Sequence, residues 1–227
     1  MGTAWAGRPA KPLFPPHIWK LKPLVSGTAV MLGVSAILVG AVFLTSIFLQ
    51  TVLGYSALQT GLVFLPFAAA LTIGTVVARH LLNHVSPRGI ATVGLLIAVL
   101  ASGWLSAADA TSELATGILP GLVLLGFGIG MVFVPVTVTS MTGIPASHAG
   151  VASGFLMTGH ELGAALGVAI LSAVATSAGT LTTAAGAADA FSAGFIGAAV
   201  MAAGVAVFAA VRMPADHAVG GGHLHMH

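Results

Sequence analysis

The sequence predicts an all-α membrane protein with six transmembrane helices. Of its 227 residues, 57% are hydrophobic and only 5% are charged, and the mean hydropathy is +1.07. A soluble domain carries about a quarter charged residues, because its surface must be solvated. Seven basic and five acidic side chains are too few to do this for a chain of this size. The high apolar content also excludes a disordered chain.

Two further properties narrow the class of protein. The chain has no cysteine, which excludes disulfides, thiolate metal sites and a cysteine nucleophile. Its formal net charge of +2 is too small to predict a nucleic-acid partner. The partner that the composition predicts is the lipid bilayer.

Six apolar stretches have about the 20 residues that a spanning helix needs. The turn Leu53-Gly54-Tyr55-Ser56 divides the uncharged run between Lys22 and Arg79 into two spans, and Ile144-Pro145 ends another, since the residue before a proline disfavours the helical region. Transmembrane β-strands would alternate in hydropathy, and these stretches do not. The predicted spans are 24–49, 57–78, 90–107, 117–142, 150–176 and 190–211.

The basic residues predict the orientation in the membrane. Cytoplasmic loops carry an excess of Lys and Arg, and with six spans every basic residue falls on one side. Both termini are therefore expected in the cytoplasm, and the plasma membrane is the expected location. Residues 1–23 are a predicted cytoplasmic segment, and residues 213–227 are a predicted flexible His- and Gly-rich tail. The basic residues are Arg8, Lys11, Lys20, Lys22, Arg79, Arg88 and Arg212.

Several short motifs occur in a characteristic order along the chain. They are Lys11-Pro12-Leu13-Phe14-Pro15-Pro16-His17-Ile18-Trp19, the run Leu49-Gln50-Thr51-Val52-Leu53-Gly54-Tyr55-Ser56-Ala57-Leu58-Gln59-Thr60-Gly61, Leu65-Pro66, Gly126-Phe127-Gly128-Ile129-Gly130, Val134-Pro135 and Ala149-Gly150-Val151-Ala152-Ser153-Gly154. Together they resemble the last six helices of the fourteen-span drug:proton antiporters of the major facilitator superfamily. The glycine run lies inside a span and lacks a lysine, so it is not a phosphate-binding loop.

The resemblance implies a fold and a function. The six helices would form one half of a major facilitator fold, itself a 3+3 inverted repeat. The activity would be proton-coupled, multidrug-type efflux of small hydrophobic molecules by alternating access, with protons as the coupling ion and no other cofactor. The partner would be a missing N-terminal half or a second half-transporter. The alternative is a non-transporting truncated remnant, or a membrane scaffold or assembly subunit. An enzyme is not predicted, because the spans contain no set of nucleophile, base and orienting group.

Two positions depart from the family pattern. In the loop between the second and third helices, Asn83 stands near an expected acidic residue, although the basic residues Arg79 and Arg88 of this gating loop remain. In the fifth helix the usual basic–polar pair is replaced by His160-Glu161. The family's coupling residues therefore cannot be transferred directly.

Glu161 is the only formal charge inside a predicted span, about 16 Å past Gly150 at 1.5 Å per residue. An acid at this depth costs about 2.5–3.5 kcal/mol on insertion scales, so it is a functional candidate by default. Glu161 is either a proton-coupling residue or a neutral acid hydrogen-bonded to a neighbouring helix. His160 is the second proton-coupling candidate, and its alternative is a packed core histidine. The two side chains are 100° apart and should not touch.

The fifth helix has two distinct opposite faces at 100° per residue. Gly159, Gly163 and Gly167 form a small-residue strip on which another helix can pack closely. Glu161 and Thr158 lie opposite, on a face predicted to border a polar cavity.

The pair His160-Glu161 does not predict a metalloprotease. A metalloprotease helix would need a second histidine four residues after His160, and Ala164 stands there.

Two helix faces are candidates for the substrate cavity, because the first and fourth helices line it in the resembling fold. The first helix carries a polar strip, and the fourth carries an apolar wall whose alternative is lipid contact. The cavity candidates are Thr28, Ser35, Ser46 and Gln50 on the first helix, Phe127 and Met131 with Val134 and Val138 on the fourth, and Thr158 on the fifth.

Two sets of histidines are close in sequence. His80 and His84 are four residues apart, and His223, His225 and His227 alternate in the tail, but neither set predicts a specific metal site.

Overall fold

A computed structural model of the chain describes residues 22–109, 112–180 and 183–214. The run from Lys11 to Trp19 and the tail histidines lie outside these described residues. Six long helices make up the described part, and each is long and apolar enough to cross a membrane. The predicted all-α, six-span architecture is confirmed. The helices are α1 (Lys22–Thr51), α2 (Ala57–Leu81), α3 (Pro87–Ser106), α4 (Leu119–Met141), α5 (Ala149–Ala178) and α6 (Ala184–Arg212).

Local sequence signals begin several of these helices. Ser56 caps α2 in a reciprocal capping box with Gln59, and Ser86 caps α3 just before Pro87. Both arrangements satisfy backbone N–H groups that a helix start leaves unpaired. One π-helical turn, Leu114–Ile118, leads into α4, and one 3₁₀ turn, Ala146–His148, leads into α5.

The sixth helix begins earlier than its hydropathy predicts. The Thr183 hydroxyl accepts a hydrogen bond from the N–H of Gly186 and caps the helix. The helix therefore starts at Ala184, six residues before the predicted start at 190. Asp189 consequently lies inside α6, exposed and in its second turn. Glu161 therefore remains the only acid far from the ends of the described helices.

Two parallel helix pairs connect the two halves of the bundle. In one pair α5 packs along α1, with Gly163 against the backbone of Leu32. In the other α2 packs along α4, with Gly130 against the backbone of Leu71. Each three-helix unit thus packs one of its helices onto the other unit, an arrangement typical of inverted repeats. Helices α3 and α6 close the bundle, where the Ser192 hydroxyl donates to the carbonyl of Ser106 at 2.6 Å.

The helices differ greatly in how much of their surface the chain covers. In the most apolar segment of α1, 61% of the residues are buried, compared with 28% in the corresponding segment of α2 and 22% in that of α5. Helix α1 is therefore the central element. Helices α2 and α5 each present a broad uncovered face.

Candidate functional site

The glycine strip of α5 brings that helix into backbone contact with α1. A β-carbon on Gly159 would meet the side chain of Thr28, and β-carbons on Gly163 and Gly167 would meet the carbonyls of Leu32 and Ala36. Only residues without a side chain allow two helices to approach so closely. The structure thus places the three predicted packing glycines at the α1–α5 contact.

A polar pair crosses the same contact. The hydroxyl of Ser35 in α1 lies 2.6 Å from Nδ1 of His160 in α5. Ser35 is completely buried, whereas His160 is half-buried. The ring of Phe133 in α4 stands edge-on to the imidazole, with the ring centroids 6.3 Å apart. His160 therefore sits where α1, α4 and α5 meet.

Glu161 lies on a different face of α5 from its neighbour. Its side chain is exposed, and within the described residues it has no hydrogen-bond or ion-pair partner. Thr158 is exposed beside it, one turn earlier, and donates to the carbonyl of Gly154 at 2.8 Å. A carboxylate in the middle of a spanning helix is costly against lipid. This face of α5 is therefore suited to water or to further protein.

The predicted polar strip of α1 is divided by the packing of α5. Thr28 and Ser35 are buried beneath α5, so the prediction that they line an open cavity is corrected. The Thr28 hydroxyl has no hydrogen-bond partner among the described residues. Ser46 and Gln50 are less covered, and the Gln50 amide donates to the Ser46 hydroxyl at 2.9 Å. Only this C-terminal part of the strip is accessible.

The predicted apolar wall of α4 also differs from expectation. Met131 is 5% exposed and packs with Ala78 of α2 and Ile90 of α3, so the prediction that it lines the cavity is wrong. The reason is that Gly126 and Gly130 admit the backbone of α2 against α4, which turns this face toward α2 and α3. Phe127 is half-buried and borders a nearly all-apolar groove of about 510 Å³ with Ile73 and Trp104.

The junction between α2 and α3 is short and basic. Arg79, in the last turn of α2, and Asn83, in the loop, are exposed, and Arg88 at the start of α3 is half-buried. Neither arginine makes an ion pair with any described residue. His80, in the last turn of α2, and His84, in the loop, are also exposed. In residues 22–109, 112–180 and 183–214, no three His, Cys, Asp or Glu side chains are close enough to hold a metal.

The model of the Major Facilitator Superfamily matches residues 6–168. This chain belongs to the major facilitator superfamily. The match covers α1 to α4 and most of α5, including the α1–α5 contact and Glu161.

Several exporters of this superfamily are similar to the chain. The cephamycin export protein CmcT of Amycolatopsis lactamdurans is 36% identical over 203 residues, which are 89% of this chain and 42% of that protein. The multidrug resistance protein Stp of Mycobacterium tuberculosis is 36% identical over 135 residues, 60% of this chain and 25% of Stp. The tetracenomycin C resistance and export protein of Streptomyces glaucescens is 30% identical over 169 residues, 74% of this chain and 31% of that protein. The chain thus spans less than half the length of these relatives.

Membership of this superfamily makes the chain a multi-pass membrane protein and accounts for the reciprocal packing of its two three-helix units. The Ser35–His160 hydrogen bond was not predicted from the sequence, because the two residues belong to helices 125 positions apart in the chain. Part of the information was in the sequence, because Ser35 shares a polar face of its helix with Thr28. The register between α1 and α5, which pairs Leu32 with Gly163, only becomes known in three dimensions.

Proposed function

We propose that this chain forms one half of a proton-driven exporter of small hydrophobic molecules that works by alternating access. The observation that carries the proposal is Glu161, an exposed acid in the middle of α5 without a partner among the described residues. Lipid disfavours such a group. A water-filled cavity shared with the rest of a transporter would accommodate it and give protons a route to the carboxylate.

The relatives support export as the direction and small molecules as the cargo. They include a cephamycin export protein, a tetracenomycin C resistance and export protein and a puromycin resistance protein of Streptomyces alboniger. These names describe different molecules. They therefore support a class of substrate, small molecules, for this chain and no individual compound.

The uncovered faces of α2 and α5 support a partner of comparable size. Leu62 and Leu65 of α2 and Leu162 and Leu166 of α5 are between 46% and 60% exposed. We assign these faces to contact with an N-terminal half, or with a second half-transporter. Substrate would bind between the two halves, near the midplane, where transporters of this kind place their sites.

Proton binding to Glu161 would act by changing the relative stability of two conformations. A ligand shifts a conformational equilibrium only through its differential affinity for the two states. The charged carboxylate requires a hydrated cavity, while the neutral acid also tolerates a closed, drier one. Protons would be the coupling ion, with no further cofactor. The basic loop between α2 and α3 and both termini would lie in the cytoplasm, and the protein in the plasma membrane.

We propose no enzymatic activity for the chain. Ser35 and His160 are positioned like the nucleophile and base of a hydrolase. Ser35, however, is completely buried in a helix contact, where no substrate reaches its hydroxyl.

The test is proton-driven transport by the whole protein in reconstituted vesicles, with ethidium as the hydrophobic probe. We expect Glu161→Gln to reduce ethidium movement driven by an imposed pH gradient at least tenfold. Glu113→Gln is the matched control, because Glu113 is an exposed acid outside the long helices, and it should transport like the unaltered protein. Equal transport by the Glu161→Gln variant would remove Glu161 from the mechanism. A well-folded wild type without transport would favour the alternative of a membrane scaffold or remnant.

A further inference from the structure

The hydroxyl of Ser35 differs from other hydroxyls in the bundle in what it bonds. Thr75, Thr137 and Ser140 each donate to the carbonyl four residues earlier in their own helix, as hydroxyls in spanning helices commonly do. Ser35 instead has Nδ1 of His160 as its partner, at 2.6 Å. It has no other hydrogen-bond partner among the described residues.

Burial limits what the Ser35 hydroxyl can bond. Ser35 is completely buried, and among the described residues the imidazole nitrogen is its only hydrogen-bond partner. A hydroxyl that donates in this contact leaves Nδ1 as the acceptor, and in a neutral imidazole the ring proton then lies on Nε2. Ser35 occupies the Nδ1 edge of the half-buried ring, and Nε2 lies on the other edge.

We propose that Ser35 is a positioning residue for His160: it holds the neutral imidazole as the Nε2–H tautomer and directs a hydrogen-bond donor into the junction of α1, α4 and α5. The proposal rests on the proposed function only for its consequence, which is that proton binding belongs to Glu161 while His160 serves as a neutral donor. The proposed tautomer itself depends only on the contact with Ser35 and on its burial.

The surroundings of the imidazole are consistent with this role. Helix α4 contributes Phe133 and contains no ionisable residue. The only charged residue of α1 is Lys22, about 20 Å from Ser35 at 1.5 Å per residue. Helix α6 presents Val205 to α1 at this level, and its charged residues Asp189 and Arg212 lie near its ends. On α5 the adjacent Glu161 projects about 100° away.

The test is nitrogen NMR of ¹⁵N-histidine in the whole protein, reconstituted in lipid bilayers at neutral pH. The His160 signals are identified by their loss in His160→Gln. We expect one tautomer, with a non-protonated, hydrogen-bonded Nδ1 and a protonated Nε2. Ser35→Ala should replace this pattern with a mixture of both tautomers, and Ser35→Thr should restore it. Ser140→Ala is the matched control, because Ser140 is equally buried but bonds within its own helix, and it should leave the pattern unchanged.

Two results would overturn the proposal: an Nδ1–H tautomer in the unaltered protein, or a His160 spectrum that Ser35→Ala does not change. Ethidium transport measured on the same samples separates the two proposals. If transport is absent while the tautomer depends on Ser35, the proposed transport function fails and the role of Ser35 stands. If the pH gradient drives transport while Ser35→Ala leaves the tautomer unchanged, the transport function stands and the role of Ser35 fails.

Discussion

Gly163 of α5 lies against the backbone of Leu32 in α1, with no space for a β-carbon between them. The contact places two helices from different three-helix units at backbone distance. In lipid the hydrophobic effect does not drive helices together, so close packing and interhelical hydrogen bonds must do so. The same contact sets the register that brings Ser35 to His160.

Gly163→Ala is expected to destabilise the bundle by about 1–3 kcal/mol, because overpacking a tight contact forces backbone shifts. The measurement is the free energy of unfolding in mixed micelles under increasing denaturant. Gly154→Ala provides the control, since a β-carbon there has nothing within 4 Å and alanine favours a helix over glycine. Equal stability of the Gly163 and Gly154 variants would mean that α1 and α5 do not pack as described.

Met131→Ala tests whether this side chain belongs to the core or to a substrate cavity. Because Met131 is buried between α2 and α3, its truncation should cost about 2–5 kcal/mol of unfolding free energy. Leu124→Ala on the same helix removes a side chain that is 40% exposed and should cost much less. A stable Met131 variant with altered substrate selectivity would instead return this residue to the cavity.

Single cysteines can establish the orientation of the chain, because it contains none of its own. We expect Asn83→Cys, in the exposed α2–α3 loop, to react with a membrane-impermeant maleimide only after cells are permeabilised. Glu113→Cys, in the loop before α4, should react in intact cells. The expectation follows from the basic residues on one side of the membrane, and the opposite labelling pattern would invert the proposed topology.

Most of the helices could be located from hydropathy, charges and turn residues. The start of α6 could not, because Asp189 interrupts the apolar run, whereas the helix already begins before Asp189, at the Thr183 cap. Among the site residues, helix periodicity correctly separated Glu161 from the glycine face of α5. It did not predict that Thr28 and Met131 would be covered, since that depends on which neighbour each face meets.

The sequence by itself determined the class of protein, the number of spans and the isolated acid in the fifth helix. Those properties depend on length, hydropathy and charge, which each segment carries independently of the others. Only the tertiary structure decided that Ser35 contacts His160, that Met131 belongs to the core, and that the C-terminal part of the α1 polar strip is accessible. Helix pairing in a membrane is selected by the fit of small residues against a neighbouring backbone, and that fit is a property of two helices together.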